Sequence, residues 1–120
     1  MRRPGGRVVV LTSVAALRGA GSYGAAKAAL HAWMLTLAQS LAPDGITVNA
    51  VAPGFVPETE FWADRLSDAV VDSRVAQTPV GRPGTPAEVA AAVAYLASAD
   101  AGFTTGQIVQ VNGGMVLGRG

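Results

Sequence analysis

The chain has 120 residues, half of them apolar, with a formal net charge of +1, no cysteine and one histidine, which leaves room for one hydrophobic core and at most a single domain. The lack of cysteine excludes disulfides, thiolate zinc sites and cysteine nucleophiles, so any metal chemistry would rest on carboxylates. Arginines and acids are scattered without a basic stripe, which argues against nucleic acid and membrane partners, and Lys27 and His31 interrupt the longest apolar stretch before it reaches the ~18 residues of a membrane span.

The opening MRRPGGRVVV mimics a secretory leader, because arginines precede a short apolar run. Pro4, Gly5 and Gly6 separate the charges from that run and Arg18 stands where a small-residue cleavage site should lie, so a reducing cytoplasm is expected instead. Val8 to Leu11 is a continuous aliphatic run that reads as a strand buried on both faces, and so as part of a parallel sheet. Beyond it Gly19, Gly21 and Gly24 spell GxGxxG. The dinucleotide fingerprint needs its first glycine directly after the strand and an acid about twenty residues further on. Here Ser13 to Arg18 intervene and Asp44 falls in a turn, so a flexible loop with a glycine-rich helix start is favoured over a phosphate site.

Ser22 is expected to cap a helix that runs to about Leu41 and stops at Pro43, Asp44 and Gly45. Tyr23 and Lys27 stand at i and i+4 in this helix, on one face, so the ammonium can sit close to the phenol. A cation beside a phenol favours its ionised form, and the positive helix end acts in the same sense. The pair is either a proton donor and acceptor or an ordinary amphipathic surface contact. His31, one turn past Lys27, is open to a packing or interface role and to a proton-relay role.

Ile46 to Val51 gives a second strand, closed by Pro53 and Gly54, with Asn49 read as a satisfied polar residue that ties strand to loop. The segment from about Glu58 to Gln77 is more polar and reads as a short helix or lid. Its acids Glu58, Glu60 and Asp64 suit a solvated face better than a metal site, and Phe55, Phe61 and Trp62 either line an apolar pocket or anchor the lid. Thr85, Pro86 and Glu88 have the pattern of a capping box with proline at the first helical position, which starts a third helix running to about Ser98. Gln107 to Val111 is a third strand, after which Asn112, Gly113 and Gly114 turn the chain away. Strands alternating with helices predict a three-stranded parallel sheet in sequence order.

Taken together, RVVVLTS, SYGAAKAAL, ITVNAVAPG, GRPGTPAEVAAAVAYLAS and TTGQIVQVNGG resemble the short-chain dehydrogenase/reductase family over almost the whole chain, most of all its 3-oxoacyl-[acyl-carrier-protein] reductase type. The resemblance implies an α/β fold in which residues 1–120 are the C-terminal part of a single Rossmann-type domain. They would form the last three parallel strands and crossover helices of a doubly wound NAD(P)-binding sheet. The glycine-rich phosphate loop and the residue that chooses NAD or NADP belong to a first half that this sequence does not contain, so Met1 could be an internal methionine of a longer reading frame.

The implied activity is hydride transfer between nicotinamide, as NAD or NADP, and a small-molecule carbonyl or secondary alcohol. Neither nucleic acid nor membrane is an implied partner, the location is cytoplasmic, and the full-length state is a homo-oligomer, dimer or tetramer. In this resemblance Tyr23 is the general acid and base, and Lys27 supports it and holds the ribose of the nicotinamide. Ser13 polarises the carbonyl, although it stands ten residues before Tyr23, closer than in most relatives, with Thr12 and Ser22 as substitutes. Pro53, Gly54, Val56 and Thr59 match the turn that holds the carboxamide, Thr59 one place late. The alternative is a truncated, non-catalytic fragment or interaction module derived from the same family, which would associate through an uncovered first strand.

Overall fold

Valine-rich runs supply the sheet and alanine-rich stretches supply the helices that cover it. The computed structural model describes residues 5–18, 20–57 and 66–118. Strands β1 (Arg7–Leu11), β2 (Thr47–Pro53) and β3 (Ile108–Val111) form one parallel sheet in the order β1-β2-β3, the arrangement that the alternating pattern predicts. Val8 pairs with Val48, Val10 with Ala50, and Ala50 with Ile108.

Helix α1 (Gly21–Leu41) repeats its apolar residues at helical spacing, so Met34, Ala38 and Leu41 fall on one stripe. That stripe packs with Ile46, Val48 and Ala50, and with the flanking Val8, Val10, Leu37 and Ile108, to form the core on one face of the sheet. Met34 is wholly buried, and cutting it back to alanine would cost about 2–5 kcal/mol in lost transfer energy and cavity. Alternate strand residues point to the other face, where helix α3 (Pro86–Ala97) buries Leu96. Arg7 reaches the end of α3 from that face, its guanidinium donating to the Ser98 carbonyl at 2.9 Å.

The stop signals of α1 act as the sequence suggests. Pro43 lies in a short 3-10 turn, Ala42–Asp44, and Gly45 ends it at φ 73°, a left-handed conformation that glycine adopts without steric cost. Helix α2 (Asp68–Ala76) occupies the polar segment and is capped by the Ser67 hydroxyl, which accepts from the Val70 amide. The start of α3 is the expected box: Thr85 Oγ1 accepts from the Glu88 amide at 3.2 Å, and the Glu88 carboxylate accepts from the Thr85 amide at 3.1 Å.

Three expectations need correction. Ser22 does not cap α1. The helix begins one residue earlier, with Ala20 at the cap position and no side-chain hydrogen bond there, because Gly21 at φ 62° turns the chain into the helix before Ser22 is reached. β1 is not buried on both faces. Its residues are half-buried and Leu11 is 54% exposed, since β1 is an edge strand among the described residues and pairs only with β2. The loop after β1 is not irregular throughout either, for Val14–Leu17 form a 3-10 turn that packs under α1. Among the described residues no helix is long and apolar enough to cross a membrane, and no group of acids and histidine could hold a metal ion. Glu58, Glu60, Phe61, Trp62 and Asp64 lie outside the described residues.

Candidate active site

Parallel strands end on the same side, and the crevice outside their carboxyl ends is where open α/β sheets bind ligands. Here β1 runs out into Thr12 and Ser13, and β2 into Gly54, Phe55 and Val56. The first turn of α1 brings Tyr23 over the same end. These residues line a cleft of about 560 Å³ together with Leu11, Arg18, Pro53, Arg74 and Met115. A second cavity, of about 210 Å³, lies around Thr78, Arg82, Glu88 and Asn112. Its two charges neutralise each other, since Arg82 grips both Glu88 oxygens at 2.8 and 2.7 Å, and it holds no residue of the proposed chemistry.

Tyr23 is 40% exposed and opens on the cleft. The Lys27 ammonium lies 5.5 Å from the centroid of its ring, inside the ~6 Å range of a cation–π contact, as i,i+4 spacing dictates. Lys27 is half-buried behind the tyrosine and does not itself line the cleft.

Ser13 is held in place by its own loop. It caps the 3-10 turn, its Oγ accepting from the Ala15 amide at 3.1 Å. That bond uses a lone pair and leaves the hydroxyl proton to be donated elsewhere. Thr12 is committed in the opposite direction: it is buried, its Oγ1 donates to the Val51 carbonyl at 3.3 Å and it lies 2.6 Å from His31 Nε2. Burial of the imidazole lowers the pKa of His31, because an enclosed ring favours its neutral form. Ser22 sits exposed in the first turn of α1 and does not line the cleft.

Gly54 has a reason to be glycine. A Cβ there would lie 2.8 Å from both Cα and Cβ of Asn112, so the turn after β2 and the turn after β3 approach as closely as backbones can. Asn49 is fully buried and satisfied: its amide donates to the Thr104 carbonyl at 2.9 Å and its oxygen accepts from the Gln107 amide at 3.0 Å. It ties β2 to the loop before β3.

The structure thus gathers Ser13, Tyr23, Pro53, Gly54 and Val56 around one cleft and sets Lys27 against the tyrosine ring. Thr59 and Gly19 lie outside the described residues. Sequence reasoning missed Arg18, Arg74 and Met115 as lining residues. No local signal marks them: Arg74 and Met115 reach the cleft only through the packing of distant segments, and Arg18, on the loop after Ser13, also bonds Gln77 Oε1 at 2.9 Å across the fold.

A family profile described as Enoyl-(Acyl carrier protein) reductase matches residues 1–116. The chain is 45% identical to the short-chain reductase protein NovJ of Streptomyces niveus over 95% of its own length and 47% of that protein. It is 44% identical to the 3-oxoacyl-[acyl-carrier-protein] reductase FabG of Escherichia coli (strain K12), over 98% of its length and 48% of the enzyme. A crystal structure from Brucella melitensis, described as a short-chain dehydrogenase/reductase of the glucose/ribitol dehydrogenase type, superposes with a TM-score of 0.85 at 39% identity, covering 97% of this chain and 47% of that one. The chain therefore spans about half the length of the curated relatives it matches.

Proposed function

This chain belongs to the short-chain dehydrogenase/reductase family, and we propose that it is the catalytic and substrate-side half of an NAD(P)-dependent oxidoreductase that reduces a carbonyl, or oxidises a secondary alcohol, with Tyr23 as general acid and base. The observation that carries this reading is the meeting of Tyr23 and Ser13 on one cleft, with the Lys27 ammonium 5.5 Å from the tyrosine ring.

The residues present suit the nicotinamide end of the cofactor. Lys27 offers three donors beside the cleft, and the Pro53 to Val56 turn brings backbone to its wall, where Gly54 leaves room for close approach. They do not suit its phosphates. The 3-10 turn Val14–Leu17 stands between β1 and α1, so no glycine follows the strand directly with a helix N-terminus behind it. When bound, the nicotinamide supplies or accepts the hydride. The protein groups handle the proton and the orientation: the Ser13 hydroxyl donates to the carbonyl oxygen, and Tyr23 Oη passes its proton to the same oxygen as charge develops there. Lys27 stabilises the tyrosinate left behind. A substrate of the 3-oxoacyl thioester class is part of the same proposal, supported by the likeness to the 3-oxoacyl-[acyl-carrier-protein] reductase FabG, and a cytoplasmic location and a homo-oligomeric whole protein are proposed with it.

The test is Tyr23→Phe in the protein that carries this chain together with its nucleotide-binding half, assayed with NADPH and acetoacetyl-CoA. Reduction should fall by about 10² to 10⁴ with cofactor binding, read by NADPH fluorescence, nearly unchanged. A fall of less than about tenfold would mean that the proton comes from elsewhere. The rival reading, a non-catalytic chain that acts by association, draws on the outer edge of β1, unpaired among the described residues, and on the alanine-rich helix α1.

A further inference from the structure

Helix α1 carries Tyr23 and Lys27, whereas Ser13 sits on the loop that leaves β1, so the site works only if two separate elements hold a fixed register. The backbone ties the end of β1 to β2, the Thr12 amide donating to the Val51 carbonyl at 2.8 Å. What ties it to α1 is a side-chain bond. His31 Nε2 and Thr12 Oγ1 stand 2.6 Å apart, and both residues are only 6% exposed, so the bond lies in the interior. Thr12 is the neighbour of Ser13 in the chain. His31 is eight residues beyond Tyr23, about 12 Å further along the same helix, and one turn past Lys27.

We propose that His31 and Thr12 form a positioning couple that locks the Ser13-bearing end of β1 to the helix bearing Tyr23 and Lys27. His31 does not line the cleft; Thr12 does, but its hydroxyl is engaged by His31 and by the Val51 carbonyl, so the couple acts by positioning Ser13. Its effect is geometric: Thr12 is tied to β2 through Val51 and to α1 through this bond, and the 3-10 turn that follows Ser13 packs on α1, where Gly24 lies so close that a Cβ would be 2.7 Å from the Ala15 oxygen. The Ala15 amide in turn holds Ser13 Oγ. Breaking the bond to His31 leaves Thr12 tied to β2 through the Val51 carbonyl but no longer to α1, so the serine hydroxyl drifts relative to Tyr23 from the point where it meets the carbonyl oxygen. A misplacement of about 1 Å at a reacting group can cost on the order of 10² in rate.

This inference rests on the reading of Tyr23 and Ser13 given above, and the experiment separates the two. In the protein with both halves present, kcat and KM for NADPH and acetoacetyl-CoA are measured for His31→Leu, Thr12→Val, the double variant and His31→Gln. The near-isosteric Thr12→Val guards against a histidine variant that fails to fold. Each single change should lower kcat by about 10- to 100-fold and leave KM for NADPH within about twofold, since the Pro53 to Val56 turn is untouched. The double variant should be no worse than Thr12→Val, because that change already removes the bond to His31 along with the hydroxyl's bond to the Val51 carbonyl. Gln, whose amide can take the place of Nε2, should recover most of the loss. Unchanged kcat, additive losses, or failure of Gln to rescue would overturn the couple while Tyr23→Phe still judges the acid. If the parent protein reduces no carbonyl, the reading of the site falls, and NMR decides the couple: His31→Leu must shift the amide resonances of Ser13 and Ala15, and resonances left in place would overturn it.

Discussion

At the scale of single residues, the site depends on where backbones can approach. Gly54 is the clearest case. Alanine at this position would press its Cβ to 2.8 Å from the Asn112 backbone, and neither neighbour is the free end of a flexible side chain. Gly54→Ala should therefore destabilise the fold by about 1–3 kcal/mol, the usual cost of overpacking, read as a lower urea midpoint at unchanged slope. Because Gly54 itself lines the cleft, the same change should raise KM for NADPH more than it lowers kcat. Tyr23 and Lys27 were legible without any structure, for i,i+4 spacing on a helix admits few arrangements. The engagement of Thr12 with His31 was not legible, because nineteen residues separate the two and only the folded sheet brings them together.

Among the elements, α3 is the one whose ends are written most plainly in the chain. Thr85, Pro86 and Glu88 satisfy the first-turn amides, and Thr85→Ala should cost about 1 kcal/mol. The Glu88 carboxylate is held down to about 2, first by the hydrogen bonds from Arg82 and with help from Thr85. Its folded pKa is thus depressed, so its contribution to stability is complete above the ordinary value of 4.5 and is lost as pH falls through about 2. Glu88→Gln should make the acid-side decline of the melting temperature shallower across that window, by a small amount because the pair is exposed to solvent. An identical decline in parent and variant would place the acid sensitivity elsewhere. The start of α1 was less legible than that of α3: a serine near a helix start is a good cap by propensity, but a left-handed glycine just before it shifts the first turn.

For the whole molecule, the decisive feature is the open side of the sheet. Among the described residues β1 pairs with β2 alone, and its last residue, Leu11, is more than half exposed, as is Trp33. An edge strand with apolar neighbours is a template for another chain. A polypeptide of these 120 residues by itself should therefore self-associate at micromolar concentrations in sedimentation velocity and show no measurable NAD(P)H binding by calorimetry. Coexpression with the nucleotide-binding half should suppress the association. A soluble monomer that binds the cofactor tightly would contradict this and return attention to Gly21 and Gly24 as a phosphate site.

The amino-acid sequence alone determined the class of fold, the order and direction of the strands, the end of α1, the box that starts α3, and the pairing of Tyr23 with Lys27. All of these follow from periodicity and local stereochemistry, which act over a few residues. The tertiary structure decided the rest. It made β1 half-buried rather than enclosed, because burial depends on which neighbours the strand has. It set Ser13 as the cap of a 3-10 turn beside the cleft, committed Thr12 to His31 and Val51, and brought Arg18, Arg74 and Met115 to the cleft wall. Contacts between segments far apart in the chain leave no periodic trace, and their partners are fixed only when the sheet and its two covering helices pack.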